Sequence, residues 1–233
     1  AASARMISEQ TVGGLNTFRL PGGEAAIRRP GRILAALLAD SEGLGERLVS
    51  RGAVPDDASA RTLIRQAQRG VNAPETTSAG RFLDAISALC GVCTERRYEG
   101  EPAMRLEAAA AGADSLDIEV PFTSRDGMRV LDVAELTARL ATLADSHPVG
   151  VVAATAQRAL ADGLATLAIE AAAERDLDTV GFTGGVAYNE AIFCRIRERV
   201  TGAGLEFLAH EAVPPGDAGI AYGQAVVAAA NRA

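Results

Sequence analysis

Over the first two thirds of the chain apolar residues recur every three or four positions, the spacing of helices with one buried face. It predicts helices over residues 30–40, 44–51 and 58–69, the last behind a Pro55-Asp56-Asp57 capping region. Residues 72–77 read as a loop, after which Thr77 or Ser78 is a natural N-cap for a helix reaching about Cys90. Residues 102–111 and 133–144 follow as helices. Residues 149–175 form a long, alanine-rich one that is apolar on most sides and is therefore expected to be buried. Strand-like segments are few. Residues 16–20 run into a Pro21-Gly22-Gly23 turn, and 116–121 pair with 128–131 through Ser124-Arg125-Asp126-Gly127.

The last third changes rhythm. Residues 179–183 read as a strand ending in Gly184-Gly185, followed by a helix from about Asn189 to Val200. After a Gly202-x-Gly204 stop comes a second strand at 205–208, then a Val213-Pro214-Pro215-Gly216 loop and a helix opening at Asp217. Strand, glycines, helix, strand, loop, helix is the order of an α/β nucleotide-binding half. With no internal repeat and no low-complexity linker, the chain is predicted to be one compact α/β unit.

Composition narrows the chemistry. The chain has 233 residues, a net charge of −7 and 48% hydrophobic residues, enough to bury a core. All 23 basic residues are arginine. Absent lysine excludes a G-x-x-x-x-G-K-[ST] phosphate loop, a Schiff-base enzyme and a lysine base. An anion must then be held by arginine, by backbone N–H groups or by a helix N-terminus. The arginines are scattered among carboxylates, so nucleic acid is not the expected partner. No apolar stretch, 149–155 included, is long enough to span a membrane, and no signal peptide is expected. Three cysteines, an odd number, suit a reducing cytoplasm. The Ala1-Ala2-Ser3 start, without methionine, reads as that of a processed product or a piece of something longer.

Few residues stand out as chemistry. Paired glycines at Gly184-Gly185 let backbone N–H groups approach a phosphate with no Cβ in the way, or simply make a tight strand–helix turn. Asn189, one turn on, could bond a ribose or phosphate oxygen or serve as a first-turn polar residue. Asp217 fits a helix N-cap and also a hard ligand for a divalent metal. Without context the cap is favoured. Asp84 and Glu107 are carboxylates near glycine-bearing turns, suited to ribose hydroxyls or to pairing with Arg81 and Arg105. Cys90 and Cys93 form a C-x-x-C, but Cys90 ends a helix, where the dipole opposes a thiolate, so both read as small hydrophobes. Pro21-Gly22-Gly23-Glu24, with Arg28 and Arg29, reads as an anion loop or a plain turn. His147 and His210 have no nearby partner in sequence.

Taken in order, five segments resemble the C-terminal catalytic region of the HypF-type hydrogenase-maturation carbamoyltransferases. They are Leu20-Pro21-Gly22-Gly23-Glu24-Ala25-Ala26-Ile27-Arg28, Thr77-Ser78-Ala79-Gly80-Arg81, Tyr98-Glu99-Gly100, Thr183-Gly184-Gly185-Val186-Ala187-Tyr188-Asn189 and Pro214-Pro215-Gly216-Asp217-Ala218-Gly219-Ile220-Ala221. The paired-glycine and Asp217 segments are shared with the TsaD-type tRNA threonylcarbamoyltransferases, whereas Pro-Gly-Gly-Glu and Tyr-Glu-Gly point to the HypF branch.

The resemblance implies an α/β lobe of the actin/sugar-kinase/Hsp70 type, with a mixed sheet, flanking helices and a helix-rich insertion. It implies ATP and carbamoyl phosphate as substrates and carbamoyl adenylate as intermediate. The carbamoyl group would pass to the C-terminal cysteine of a HypE-type acceptor, later to become a cyanide ligand of a [NiFe] centre. Gly184, Gly185 and Asn189 would then line the nucleotide, and Asp84, the Gly100 segment and Glu107 the nucleoside. Asp217 would hold a divalent metal, whether magnesium, zinc or iron.

Some family features are missing. A histidine-rich metal motif and an upstream phosphate loop are absent, Gly216 stands where asparagine is usual, and Phe82-Leu83 inverts the usual order. Acylphosphatase-like, zinc-finger and YrdC-like domains are absent too. The chain is expected to be a C-terminal lobe with half an active site, weak or inactive alone. Two other readings stay open, a non-catalytic nucleotide-binding or docking module and a tRNA-modifying relative.

Overall fold

Helices begin where a side chain satisfies their first N–H groups. The carboxylate of Asp56 accepts from Ser59 N at 2.7 Å, and Ser78 Oγ from Arg81 N at 3.3 Å. Asp132 accepts from Ala134 N and Glu135 N, and Asn189 from Ile192 N. Caps of this kind contribute about 1 kcal/mol each. The computed structural model describes residues 10–230, so the Ala1-Ala2-Ser3 start lies outside the described residues.

The first part of the chain gives α1 (Glu24–Arg28), α2 (Gly31–Leu37), α3 (Leu44–Ser50), α4 (Asp57–Arg69), α5 (Ala79–Leu89) and α6 (Glu101–Ala110). Then come α7 (Val133–Leu143), α8 (Val149–Glu174), α9 (Glu190–Gly202) and α10 (Ile220–Ala230). The strands are β1 (Phe18–Arg19), β2 (Glu75–Thr76), β3 (Phe122–Arg125), β4 (Met128–Leu131), β5 (Thr179–Gly181) and β6 (Glu206–Leu208). Antiparallel pairs join β1 to β2 and β3 to β4, and β5 runs parallel to β6.

The core is helical. Ile33 and Leu34 of α2, Phe82, Leu83, Ile86 and Leu89 of α5, and Leu160 of α8 are fully buried. Small residues bring α8 close to its neighbours, and Ala153, Ala156, Ala161 and Ala165 have no measurable exposure. A Cβ on Gly150 would lie 2.9 Å from Ala109 O, so the crossing of α6 and α8 requires glycine there.

Strands and helices are mixed as expected, but the described strands form three separate pairs instead of one mixed sheet. The buried centre is occupied by α2, α5 and α8, which leaves the strands two to four residues long around it. The hairpin also differs from expectation. Its turn is Asp126-Gly127, both with positive φ (54° and 78°), a two-residue turn that makes 122–125 the first strand. Residues 116–121 carry no ladder, and Leu116 N bonds instead to Thr155 Oγ1. The expected loop at 72–77 contains β2, which exists through its pairing with β1 more than fifty residues earlier. The Pro21-Gly22-Gly23 turn leads into α1, a short helix the spacing did not predict.

Candidate functional site

The paired glycines end β5 and open a 3-10 turn, Gly185–Tyr188, before α9. Gly184 has φ +97°, which favours glycine, and its N–H donates to Pro215 O at 2.8 Å. A Cβ at Gly184 or Gly185 would meet nothing within 4 Å. The outer face of the turn is therefore open, and Gly185 begins the turn with an N–H that no residue inside it can accept.

Asn189 lies at the end of that turn, where its side chain is committed. Its Oδ1 caps α9 through Ile192 N at 2.9 Å, and its Nδ2 donates to Gln157 Oε1 of α8 at 2.8 Å. Glu107 of α6 reaches the same place, its Oε1 accepting from Glu190 N at 2.8 Å. Glu107, Gln157, Glu190 and Arg195 help line a groove of about 740 Å³, which does not extend to Gly184, Gly185 or Asp217. The two arginines that line it are paired with carboxylates, Arg195 with Asp162 and Glu198 and Arg158 with Asp117. Asp162 accepts from Arg195 at 2.8 Å and Arg199 at 2.9 Å, and Arg158 lies 3.6 Å away.

Asp84 sits on α5, which packs against both α6 and the Gly185–Tyr188 turn. It is 1% exposed, and burial pushes its carboxyl up to about 6 against the opposing pull of Arg81 and Arg96. Arg81 lies 2.7 Å from Oδ2, but the contact is poorly aligned, and neither atom makes a hydrogen bond. Ser87 Oγ, nearly one turn further along, is buried with no hydrogen-bond partner among the described residues. Gly100 stands at the N-cap of α6 with φ +76°, a backbone conformation that favours glycine.

A second group gathers across the β5–β6 ends. Thr183 Oγ1 donates to Pro215 O at 3.1 Å and lies 2.9 Å from His210 Nε2. His210, unpartnered in sequence, is thus tied 27 residues away to the end of β5. His147 instead closes α7, its Nδ1 near Leu143 O and Ser146 Oγ. Asp217 is exposed and begins a short 3-10 turn, Asp217–Gly219, ahead of α10. The expected cap is not made. Gly216 holds the cap position and bears no side chain to cap with. Among the described residues no three His, Cys, Asp or Glu side chains gather as a metal site.

Other candidates resolve as structure. Arg32 donates to Pro21 O at 2.7 Å and Gln66 Oε1 at 2.8 Å, so the Pro-Gly-Gly turn is braced from beneath. Cys90 and Cys93 are buried, and burial pushes the Cys90 thiol up to about 11. That suits small hydrophobes. Sequence reasoning missed Gln157 and the partner of His210, both set by tertiary packing, but it anticipated that Arg81 would pair with Asp84. Only the i, i+3 spacing of Arg81 and Asp84 was a local signal.

The chain matches the family described as carbamoyltransferase, Kae1-like domain, second subdomain, over residues 4–224. It is 34% identical to the probable carbamoyltransferase HypF of Methanocaldococcus jannaschii, covering 93% of this chain and 28% of that protein. It is 37% identical to the carbamoyltransferase HypF homolog of Cupriavidus necator, covering 94% of this chain and 57% of the relative. A full-length HypF solved in its phosphate- and nucleotide-bound form superposes with a TM-score of 0.83 at 27% identity, over 93% of this chain and 28% of that one. T. kodakarensis HypF superposes with a TM-score of 0.81 at 34% identity, covering 93% and 29%. The chain spans between about a quarter and three fifths of these proteins. It belongs to the HypF carbamoyltransferases, a transferase family, and corresponds to the second subdomain of their Kae1-like domain.

Proposed function

We propose that this chain is one half of a two-lobed carbamoyl-transfer domain of the actin/sugar-kinase/Hsp70 type, working in the cytoplasm with ATP and carbamoyl phosphate. The match to a carbamoyltransferase subdomain over residues 4–224 carries the reading. The site supplies features that fit a nucleotide. The open Gly184-Gly185 turn leaves room for phosphate oxygens beside backbone N–H groups. Asp84 is buried and lies 2.7 Å from Arg81, so its part is to hold the α5 end of the site, which packs on that turn. Glu107 and Asn189 are engaged with α9, so their part is to set the angle of the turn against α6 and α8.

In the transfer itself, carbamoyl adenylate would meet the C-terminal thiolate of a HypE-type acceptor. The carbonyl carbon's bond to the phosphate oxygen breaks, a C–S bond forms, and AMP leaves with the electron pair. The thiol proton is lost to solvent. The residues described here bind and orient the nucleotide. They do not by themselves fit a divalent metal, because Asp217 brings one carboxylate with no companion ligands among the described residues. No step is therefore assigned to a metal.

Calorimetry with ATP tests the reading. The chain should bind ATP weakly, and Gly185→Asp should abolish the heat, since a carboxylate there meets no protein atom but would meet the phosphates. Carbamoyl transfer by the chain alone should be weak or absent. Sustained turnover would refute the half-site reading, and no ATP heat in the wild type would refute the nucleotide site.

A further inference from the structure

Sheets of parallel strands place their ligands just outside the carboxyl ends of the strands. Here β5 ends at Gly181 and β6 at Leu208. Two residues past each end stand Thr183 and His210, both exposed, which the proposed nucleotide contacts leave idle.

Their hydrogen bonds fix where the protons are. Pro215 O is a carbonyl and can only accept, so the single proton of the Thr183 hydroxyl is spent on it, at 3.1 Å. Thr183 Oγ1 then has only lone pairs to offer His210 Nε2, 2.9 Å away. Nε2 must therefore carry a hydrogen and donate it. A neutral imidazole has one N–H, which leaves Nδ1 bare and without a partner among the described residues.

The same carbonyl ties this pair to the glycine turn. Pro215 O also accepts from Gly184 N at 2.8 Å, so Thr183 and the turn share one anchor. Neutral His210 cannot hold a phosphate oxygen, because its one N–H is taken by Thr183. What it offers is a lone pair, a place for a proton.

Other groups near the turn suit that task less. The chain has no lysine. Asp84 is buried beside Arg81, and Glu107 accepts from Glu190 N. Asp217 is exposed, but a carboxylate is a weak base toward a thiol, and the ordinary basicity of an imidazole lies much nearer to a thiol's.

We propose that His210 is the proton acceptor for the nucleophile that attacks beside the Gly184-Gly185 turn, with Thr183 as its positioning residue, a role that rests on the carbamoyl-transfer reading of the chain. The acceptor's S–H bond breaks as its proton passes to Nδ1. The electron pair left on sulfur forms the C–S bond, and AMP leaves with the pair of the broken C–O bond. The imidazolium keeps its Nε2–H on Thr183 and releases the Nδ1 proton to solvent.

The tautomer is measured in the chain itself. Long-range proton–nitrogen correlation spectra resolve its two histidines, and His210→Gln identifies the His210 signals. In mildly alkaline buffer the wild type should show His210 almost wholly as the Nε2–H form, and Thr183→Val should bring in the Nδ1–H form. A proton on Nδ1 in the wild type would overturn the proposal. So would a tautomer balance that Thr183→Val leaves unchanged.

Rates need the rest of the domain. The setting is a chimera with this chain in place of the matched region of the Methanocaldococcus jannaschii HypF, given ATP, carbamoyl phosphate and a peptide ending in cysteine. There His210→Gln should slow carbamoyl transfer about a hundredfold near neutral pH. Glutamine's amide can still donate to Thr183, so the thermal midpoint should hold. The deficit should shrink to within about threefold near pH 9.5, where a thiol ionises unaided. An equal deficit at both pH values would mark a purely structural role and sink the idea. An active chimera indifferent to His210→Gln would refute this inference alone, whereas an unsubstituted chimera that binds ATP but transfers nothing would refute the proposed function and this role with it.

Discussion

The helices from α2 to α9 and the α10 segment use similar residues to opposite ends. In α8 alanines let neighbouring helices approach, and Ala153, Ala156 and Ala161 are closed off from solvent. In α10 a similar run of alanine and valine meets water on all sides. Composition therefore does not decide burial. What differs is the presence of something to pack against, which α8 finds in α6 and α9 and α10 does not find among the described residues.

The sharpest way to break that contrast is to cut side chains on both sides of it. Leu160→Ala in α8 should cost about 3–4 kcal/mol in urea denaturation, from lost burial and the cavity left behind. Val226→Ala should stay within about 0.5 kcal/mol. Comparable losses would show α10 to be part of the same cooperative unit.

Asp84 gives the next largest effect. Its folded carboxyl, near 6, lies above its ordinary value, so the folded chain holds a proton that the unfolded chain loses first. Stability from this group should fall as pH rises from about 4 to about 6, by on the order of 3 kcal/mol in all. Asp84→Asn should flatten that part of the stability–pH curve, and an unchanged slope would show that the buried carboxyl is not its source. Smaller again, Asn189→Ala should cost about 1–2 kcal/mol, because it removes the α9 cap and strands Gln157 Oε1. A calorimetric melt measures it. Smallest is a difference in reactivity. Cys194, exposed, should react with a thiol reagent in the native chain, while Cys90 and Cys93 should wait for unfolding.

Much of the helical architecture was legible from local chemistry. Asp56 and Ser78 mark helix starts because the signal, a short polar side chain before an apolar run, lies within a few residues. The glycine turn after β5 was legible for the same reason. β2 was not, because two residues become a strand only through a partner far away. The site divides likewise. Its glycines could be read, but the Glu107–Glu190 and His210–Thr183 bonds join residues 83 and 27 positions apart. Asp217 misled through its neighbour, since a polar residue after Pro-Pro-Gly reads as a cap although Gly216 occupies that place.

Gly216 has one more consequence. A Cβ there would lie 2.6 Å from Tyr188 Cε2, so the ring occupies the space a side chain at 216 would need. Tyr188 is more than half exposed, so a side chain at 216 would push its ring toward solvent and lose the contact it makes here. Asparagine at 216 is obstructed while Tyr188 keeps this placement, and Tyr188→Ala first would open the way. Gly216→Asn should be more harmful in the wild-type background than in Tyr188→Ala, a coupling that thermal midpoints of the double-mutant cycle measure.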